Sequence, residues 1–351
     1  MTTLTDILKR RIATTGPITI ADYMTEALLH PEHGYYTTRD PFGAAGDFVT
    51  APEISQMFGE MIGLCLAQAW IDQGRPKGVL AELGPGRGTL MQDVLRATKA
   101  VPGFHDALDL HLVEASPVLA AAQAARLPVV QSHARAADLP DAPLFLIANE
   151  FFDALPIRQF VRDGNGWRER MVGLTDDALA FGLSSPAPLA MLEHRLDDTK
   201  DGDLIEICPN AAPVTQEIAG RIAQHGGAAI VIDYGDWRSL GDTFQALKDH
   251  ETVDPLTAPG SADLTAHVDF ETIAAACAPA RHTRLSTQGV FLERLGITAR
   301  AQALAQSMSG DKLQSHIAAH RRLTHPAEMG DLFKVIGILP NNAPAIAGLE
   351  L

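Results

Sequence analysis

One stretch constrains the fold more than any other: Val79-Leu80-Ala81-Glu82-Leu83-Gly84-Pro85-Gly86-Arg87-Gly88-Thr89-Leu90. An apolar run ends in an acid, three glycines follow at alternate positions, and a helical pattern begins at once with Leu90, Val94 and Leu95 on one face. Strand, tight turn and helix N-terminus in that order predict an α/β fold with a parallel sheet. Such sheets hold a nucleotide-like ligand at the carboxyl ends of their strands. Glycines at 84, 86 and 88 let the backbone turn sharply and let a ligand approach without a Cβ in the way. The spacing departs from the G-x-G-x-x-G of dinucleotide sites, which disfavours an NAD-dependent dehydrogenase. Glu82, two residues before the first glycine, suits a cationic amino group better than a pyrophosphate. A ligand with both an adenosine and an amino acid part satisfies these features, and S-adenosyl-L-methionine is the candidate. An ordinary structural turn is the alternative.

Other acids fall where such a site needs them. Leu108–Val113 reads as a second strand ending at Glu114, 26 residues beyond Gly88, the place from which an acid accepts hydrogen bonds from ribose hydroxyls. Ser116 before Pro117 is the expected cap of the next helix, and Val129-Val130 reads as a short third strand. Asp138 either meets an adenine edge or is a plain loop acid. Pro143–Ala148 is a buried fourth strand running into Asn149-Glu150-Phe151-Phe152-Asp153, polar groups at a strand end where ligands bind. The alternative there is a helix cap with dipole-favoured acids. Ala228–Gly235 is a further buried strand that places Asp233 near the same crevice, with a solvated strand end as the competing reading. His267 lines the crevice or belongs to the start of the following helix.

Upstream, residues 3–30 read as two helices split at Thr14-Thr15-Gly16-Pro17, the second capped by Thr19. His30 and His33 flank Pro31 and precede Gly34, a turn setting rather than a metal site. Gly43–Thr50 is a small-residue loop, containing Asp47, that either covers a cofactor or merely connects. Thr50-x-x-Glu53 reads as a capping box, opening a helix whose apolar residues from Ile54 to Trp70 recur at three- and four-residue spacing. Residues 157–199 change character. Arg158–Arg162 and Trp167–Val172 around Asp163-Gly164-Asn165-Gly166 predict a β-hairpin. The expected organisation is therefore an N-terminal helical region with a covering loop (1–75), a core of 76–156 and 200–351, and the hairpin insertion between.

A formal net charge of −15 over 351 residues argues against general nucleic-acid or anionic-membrane binding. Cys65, Cys208 and Cys277 are far apart and imply neither a disulfide framework nor a metal pair, which fits a reducing cytoplasm. No apolar run is long enough to span a membrane, and no signal or transit peptide is evident.

The blocks GYYTTRDPFGAAGDFVTAPEISQMFGE, ELGPGRGTL, HLVEASPVL, NEFFDALPIRQF, VIDYG, GDTFQALKDH, ADLTAHVDF, STQGVFLERLGI and MGDLFKVIG resemble those of the MidA-like methyltransferases. That family includes a mitochondrial complex I assembly factor that methylates a protein arginine. The resemblance runs from Gly34 to Gly337 and implies a Rossmann-like, seven-stranded class I methyltransferase sheet with S-adenosyl-L-methionine as methyl donor. With that donor, Glu82, Gly84, Pro85, Gly86, Gly88 and Asn149 are the residues expected at its methionine end, Glu114 at its ribose and Asp47 in a cover. Glu150 and Asp153 are the expected grip on the acceptor guanidinium, with Asp233 and His267 as further substrate contacts and no metal. Asn149 and Glu150 fit the methionine end of the donor equally well. The implied partner is a protein, with a respiratory complex I subunit as the target suggested by analogy. A small-molecule methyltransferase and a donor-binding assembly chaperone without turnover are the rival readings.

Overall fold

The computed structural model describes residues 2–38, 50–128 and 130–351. The expected cover residue Asp47 and Val129 lie outside them. Seven strands form the continuous path of the central sheet: β1 (Gly78–Leu83), β2 (Leu108–Val113), β3 (Gln131–His133), β4 (Leu144–Asn149), β5 (Gly227–Asp236), β6 (Arg281–His282) and β7 (Phe333–Leu339). Their spatial order is β3-β2-β1-β4-β5-β7-β6. Two more short strands, Val268–Asp269 and Ser286–Thr287, pair alongside β5 and β7, making nine. The strands β1 to β5 run parallel, and β7 returns antiparallel to β5.

Parallel strands covered on both faces need near-continuous apolar sequence, and β1, β4 and β5 supply it: Leu80, Phe145, Ile147 and Ile230 face one layer, Val79, Leu146, Ala229 and Val231 the other. Helices α1 (Leu4–Thr15) and α2 (Ile20–Leu29) precede the sheet, and α3 (Gln56–Asp72) and α4 (Thr89–Thr98) cover its first face. The α3 and α4 helices pack closely because α3 offers no side chain at Gly63: a Cβ there would sit 2.9 Å from Val94 Cα. Helix α5 (Pro117–Arg126) follows β2, and α6 (Ala211–His225) covers the second face.

The chain leaves β1 outward to β2 and β3, then crosses back to β4 on the other side. Register places Leu83 opposite Val113 and Ala148, and Asn149 opposite Ile232. The carboxyl ends of β1, β2 and β4 therefore come level beside Ile232 of β5, which runs on to Asp236, where the strand order reverses, the place where open α/β sheets bind ligands.

Several expectations need correction in detail. Thr19 does cap α2 in a box with Asp22, but Thr50 makes no side-chain cap bond. The extended backbone of Ser55 breaks the predicted helix into Ala51–Ile54 and α3, and Ser55 caps α3 by accepting from the Met57 N–H. The third strand is Gln131–His133 rather than 129–130. It is an edge strand held by polar contacts, His111 Nδ1 to His133 Nε2 at 2.8 Å among them, so no apolar run announces it. The hairpin forms as Arg158–Asp163 with Gly166–Thr175. Its sheet also takes in Ile18–Thr19 from the N-terminal region, Ala178–Leu183 and Leu204–Ile207. A third sheet of Gln245–Lys248, Glu251–Val253 and Asp263–Thr265 stands beside the strand ends. No helix among the described residues is long and apolar enough to cross a membrane.

Candidate active site

The glycine turn is built as its sequence requires. Gly84, Gly86 and Gly88 all have positive φ, at 60°, 53° and 78°. A Cβ on Gly84 would stand 3.0 Å from the Phe151 ring. The Gly84 N–H donates to the Val113 carbonyl and the Gly88 N–H to that of Pro85 (3.0 and 2.7 Å), tying the turn to the end of β2. Thr89 opens α4 directly behind it.

Two cavities meet at this turn, sharing Tyr36, Gly84, Gly86 and Glu150. The first, about 630 Å³, is walled by Val113, Ala115, Leu119, Ala136 and Phe151, with Glu114 as its acid beside β2. Glu114 accepts from the Ser116 N–H at 2.7 Å and from Gln123 Nε2 at 3.2 Å. Burial pushes its carboxyl up to about 7. Asp138 does not line this cavity. It pairs with Arg135 at 2.9 Å in the exposed turn after β3.

The second cavity, about 380 Å³, is rich in acids and aromatics: Glu82, Glu150, Asp153 and Asp263 with Tyr36, Tyr234, His267 and Phe333. Glu82 is buried and burial pushes it up to about 8, with Glu114 adding to the shift and the Met91 N–H opposing it. Glu150 has a positive φ of 50°, a conformation glycine would adopt with less strain. Its N–H donates to the Ile232 carbonyl at 2.9 Å. Its Oε1 accepts from the Ala51 N–H and from Asn149 Nδ2, both at 3.1 Å. Burial and then Asp153 raise it to about 7. Asp153 accepts the Tyr234 hydroxyl on Oδ2 at 2.7 Å, and burial raises it to about 6. Tyr36 donates its hydroxyl to Asp263 Oδ1 at 2.7 Å.

Three acceptors in this cavity are buried with no hydrogen-bond partner among the described residues: Glu82 Oε2, Asn149 Oδ1 and Asp153 Oδ1. No salt bridge among the described residues reaches Glu82, Glu114, Glu150 or Asp153. Clustered buried carboxylates repel one another and resist ionisation, and for Glu150 the charge of Arg322 offsets only part of that cost. Cationic groups brought by ligands would relieve both costs. An ammonium at Glu82 beside the glycine turn fits this donor set, as does the apolar first cavity for an adenine.

Asp233 sits elsewhere than expected. It is fully buried and lines neither cavity. Its Oδ2 accepts from the N–H groups of Phe151, Phe152 and Asp153 at 3.2, 3.0 and 3.3 Å, and its Oδ1 from that of Tyr234 at 3.0 Å. This acid of β5 thus holds the turn that carries Glu150 and Asp153. His267 does line the second cavity, its ring edge-on to Tyr234 at 5.4 Å, and burial lowers its basicity. Asp269, not His267, caps the following helix at Thr272. Sequence reasoning misses Tyr36, Tyr234, Asp263 and Thr265 as cavity residues.

The profile of a family described as "Putative S-adenosyl-L-methionine-dependent methyltransferase" matches residues 61–289. The chain belongs to this methyltransferase family. Its methyl donor is S-adenosyl-L-methionine. Among similar proteins, the "Protein arginine methyltransferase NDUFAF7, mitochondrial" of Xenopus laevis is 38% identical over 370 residues, covering 95% of this chain and 83% of that protein. The Homo sapiens protein of the same name is 37% identical over 372 residues, covering 95% and 82%. A Burkholderia thailandensis protein solved with S-adenosyl-homocysteine bound superposes with a TM-score of 0.84 at 30% identity, covering 98% of this chain and 94% of that one. This methyltransferase therefore shares both its fold and most of its length with a protein that binds the demethylated donor.

Proposed function

We propose that this methyltransferase transfers a methyl group to an arginine of a protein acceptor, with the donor in the first cavity and at the glycine turn and the acceptor in the second cavity. The observation that carries the reading is the pair of buried carboxylates Glu150 and Asp153 beside the donor's turn, neither in a salt bridge among the described residues, and the arginine methyltransferase relatives support it. Bound S-adenosyl-L-methionine supplies an electrophilic methyl on a cationic sulfonium. The residues proposed to hold it are Glu82 and the Gly84-Pro85-Gly86 and Gly88 turn at the amino acid end, Asn149 through its open Oδ1, and Glu114 at the ribose. Asp47 belongs to the proposal as a cover. A guanidinium is a weak nucleophile, its lone pair delocalised and its proton held to a pH above about 12. Two carboxylates on one side orient one nitrogen and localise the charge, and the site aligns that nitrogen with the methyl group. His267 and Tyr234 supply the cavity's aromatic wall, whereas Asp233 contributes by holding the turn.

A respiratory complex I subunit is the target that the family resemblance implies. A reducing cytoplasmic setting is likewise part of the proposal, and Cys65, Cys208 and Cys277 are all free thiols. The test is transfer of tritiated methyl from S-adenosyl-L-methionine into an extract of cells lacking the gene. One protein band should be labelled, and its acid hydrolysate should yield methylarginine. Label in another residue would overturn the arginine reading. Label only in small metabolites would overturn the protein reading.

A further inference from the structure

We infer that Tyr234 is the positioning residue for Asp153, fixing one carboxylate oxygen so that the other faces the acceptor and takes the proton lost on methylation. The inference rests on reading the second cavity as the acceptor site, and divides the labour between the two acids of the 150–153 turn.

The division follows from geometry. Glu150 lines both cavities, and its Oε1 is already occupied by Asn149 and by the Ala51 N–H. It stands at the junction of donor and acceptor. Asp153 lines only the second cavity. It is 6% exposed, its Oδ2 is taken by the Tyr234 hydroxyl at 2.7 Å, and its Oδ1 is buried without a partner among the described residues. The backbone leaves little freedom for this arrangement. The Asp153 N–H is held by Asp233, its carbonyl accepts the Ala266 N–H at 3.0 Å, and Tyr234 follows Asp233 on β5. Tyr234 is itself wedged by rings, His267 and Phe333 each standing 5.4 Å from it edge-on or tilted. A phenol so wedged points its hydroxyl in one direction, and a carboxylate so bonded presents its second oxygen in one direction.

In the transfer the acceptor nitrogen's lone pair forms the new nitrogen–carbon bond. The carbon–sulfur bond breaks with its electron pair going to sulfur, and the proton leaving nitrogen goes to Oδ1 of Asp153 and from there to solvent. A carboxylate whose proton affinity burial has raised is a better acceptor than an exposed one. Among the described residues, the titratable and charged groups around Asp153 are Glu150 on its own turn, Asp233 and Tyr234 on β5, and Tyr36 after α2, with His267 against the Tyr234 ring and Asp263, on the Tyr36 hydroxyl, and Arg87 lining the same cavity.

The experiment compares wild type with Tyr234→Phe and Asp153→Asn in the full chain. Three readouts are taken: calorimetric binding of S-adenosyl-homocysteine, initial rates of tritium transfer into acid-precipitable protein of the deletion extract from pH 5.5 to 9, and a carboxyl-13C titration of Asp153 assigned by its loss in Asp153→Asn. Removing the hydroxyl removes a hydrogen bond that favours the charged form. The acid limb of the rate profile and the Asp153 titration should therefore both move up by about one pH unit. S-adenosyl-homocysteine affinity should stay within about twofold, because the residue touches only the acceptor side. A slower enzyme with an unmoved acid limb and an unmoved titration would overturn the inference, as would a tenfold loss of S-adenosyl-homocysteine affinity. If the limb shifts but the hydrolysate holds no methylarginine, the arginine reading fails and the Tyr234–Asp153 assignment stands.

Discussion

The two cavities differ in how the chain makes them. The donor side takes its acids from runs that are continuous in sequence with their strands, Glu82 of β1 beside the glycine turn and Glu114 after β2, although α2, residues 134–137, the 150–156 segment and the start of α6 also wall the first cavity. The acceptor side is assembled from Tyr36, the 150–153 turn, Tyr234, the Asp263–Thr265 strand and His267, segments far apart in the chain. The donor's acids are placed by local backbone geometry at two adjacent strand ends, the acceptor's polar groups by packing of distant segments. A substitution on the donor side should therefore act on one ligand, whereas the acceptor side should share its fate with the fold around it.

The sharpest way to break this comparison is a reciprocal pair. Asp153→Asn should lower methyl transfer by at least about 100-fold, the scale of a lost proton acceptor, while S-adenosyl-L-methionine affinity changes less than about threefold. Glu82→Gln should do the reverse, weakening donor affinity about 10- to 100-fold for one lost charge-assisted hydrogen bond, with transfer recovering at saturating donor. Calorimetry and initial rates on both variants decide it. Equal loss of both properties in either variant would merge the two sides into one.

Asp233→Ala should affect both sides at once. It strands the N–H groups of Phe151, Phe152, Asp153 and Tyr234, and buried unpaired donors cost about 2–4 kcal/mol in sum. Chemical denaturation should show that loss, and donor binding and transfer should fall together. Unchanged stability would return Asp233 to the role of a substrate contact.

The acceptor side is poorly legible in the sequence for reasons these residues make plain. Glu82, the glycines and Glu114 are recognisable because secondary structure and ligand contact come from the same short run. Asp233 follows Ile232, which lies level with the end of the neighbouring strand at Asn149, and sequence does not say which side of such a position faces a cavity. Tyr36 and Tyr234 look like core aromatics until their hydroxyls are seen on Asp263 and Asp153. The strands Gln245–Lys248 and Asp263–Thr265 are too short to carry a two-residue period. The parallel core, in contrast, is announced by its apolar runs, and only the polar edge strand β3 is displaced from where those runs place it.

A pH series sharpens the comparison further. Burial raises Glu82 to about 8, Glu114 and Glu150 to about 7 and Asp153 to about 6. A carboxyl whose folded pKa is raised contributes stability that is complete below its unfolded value, about 4, and is lost as pH climbs through the folded value. The ligand-free protein should thus lose thermal stability between pH 5 and 8. The donor's cationic groups favour the ionised acids, so the melting-temperature gain from S-adenosyl-L-methionine should be several degrees larger at pH 8.5 than at pH 6. Scanning calorimetry at the two values checks it, and a gain that shrinks with pH would contradict the charge argument. The smallest expected effect is Glu114→Gln, which keeps one acceptor oxygen for the ribose. It should weaken donor binding only about 3- to 10-fold and leave the acid limb of transfer in place.

The most direct measurement is a crystal structure of this chain with S-adenosyl-homocysteine. The ribose should lie against Glu114, the ammonium against Oε2 of Glu82, and the sulfur at the junction of the cavities beside Gly84 and Glu150, leaving Oδ1 of Asp153 open on the acceptor side. An adenosine lying among Asp153, Tyr234 and His267, or a homocysteine chain that leaves Glu82 untouched, would contradict it.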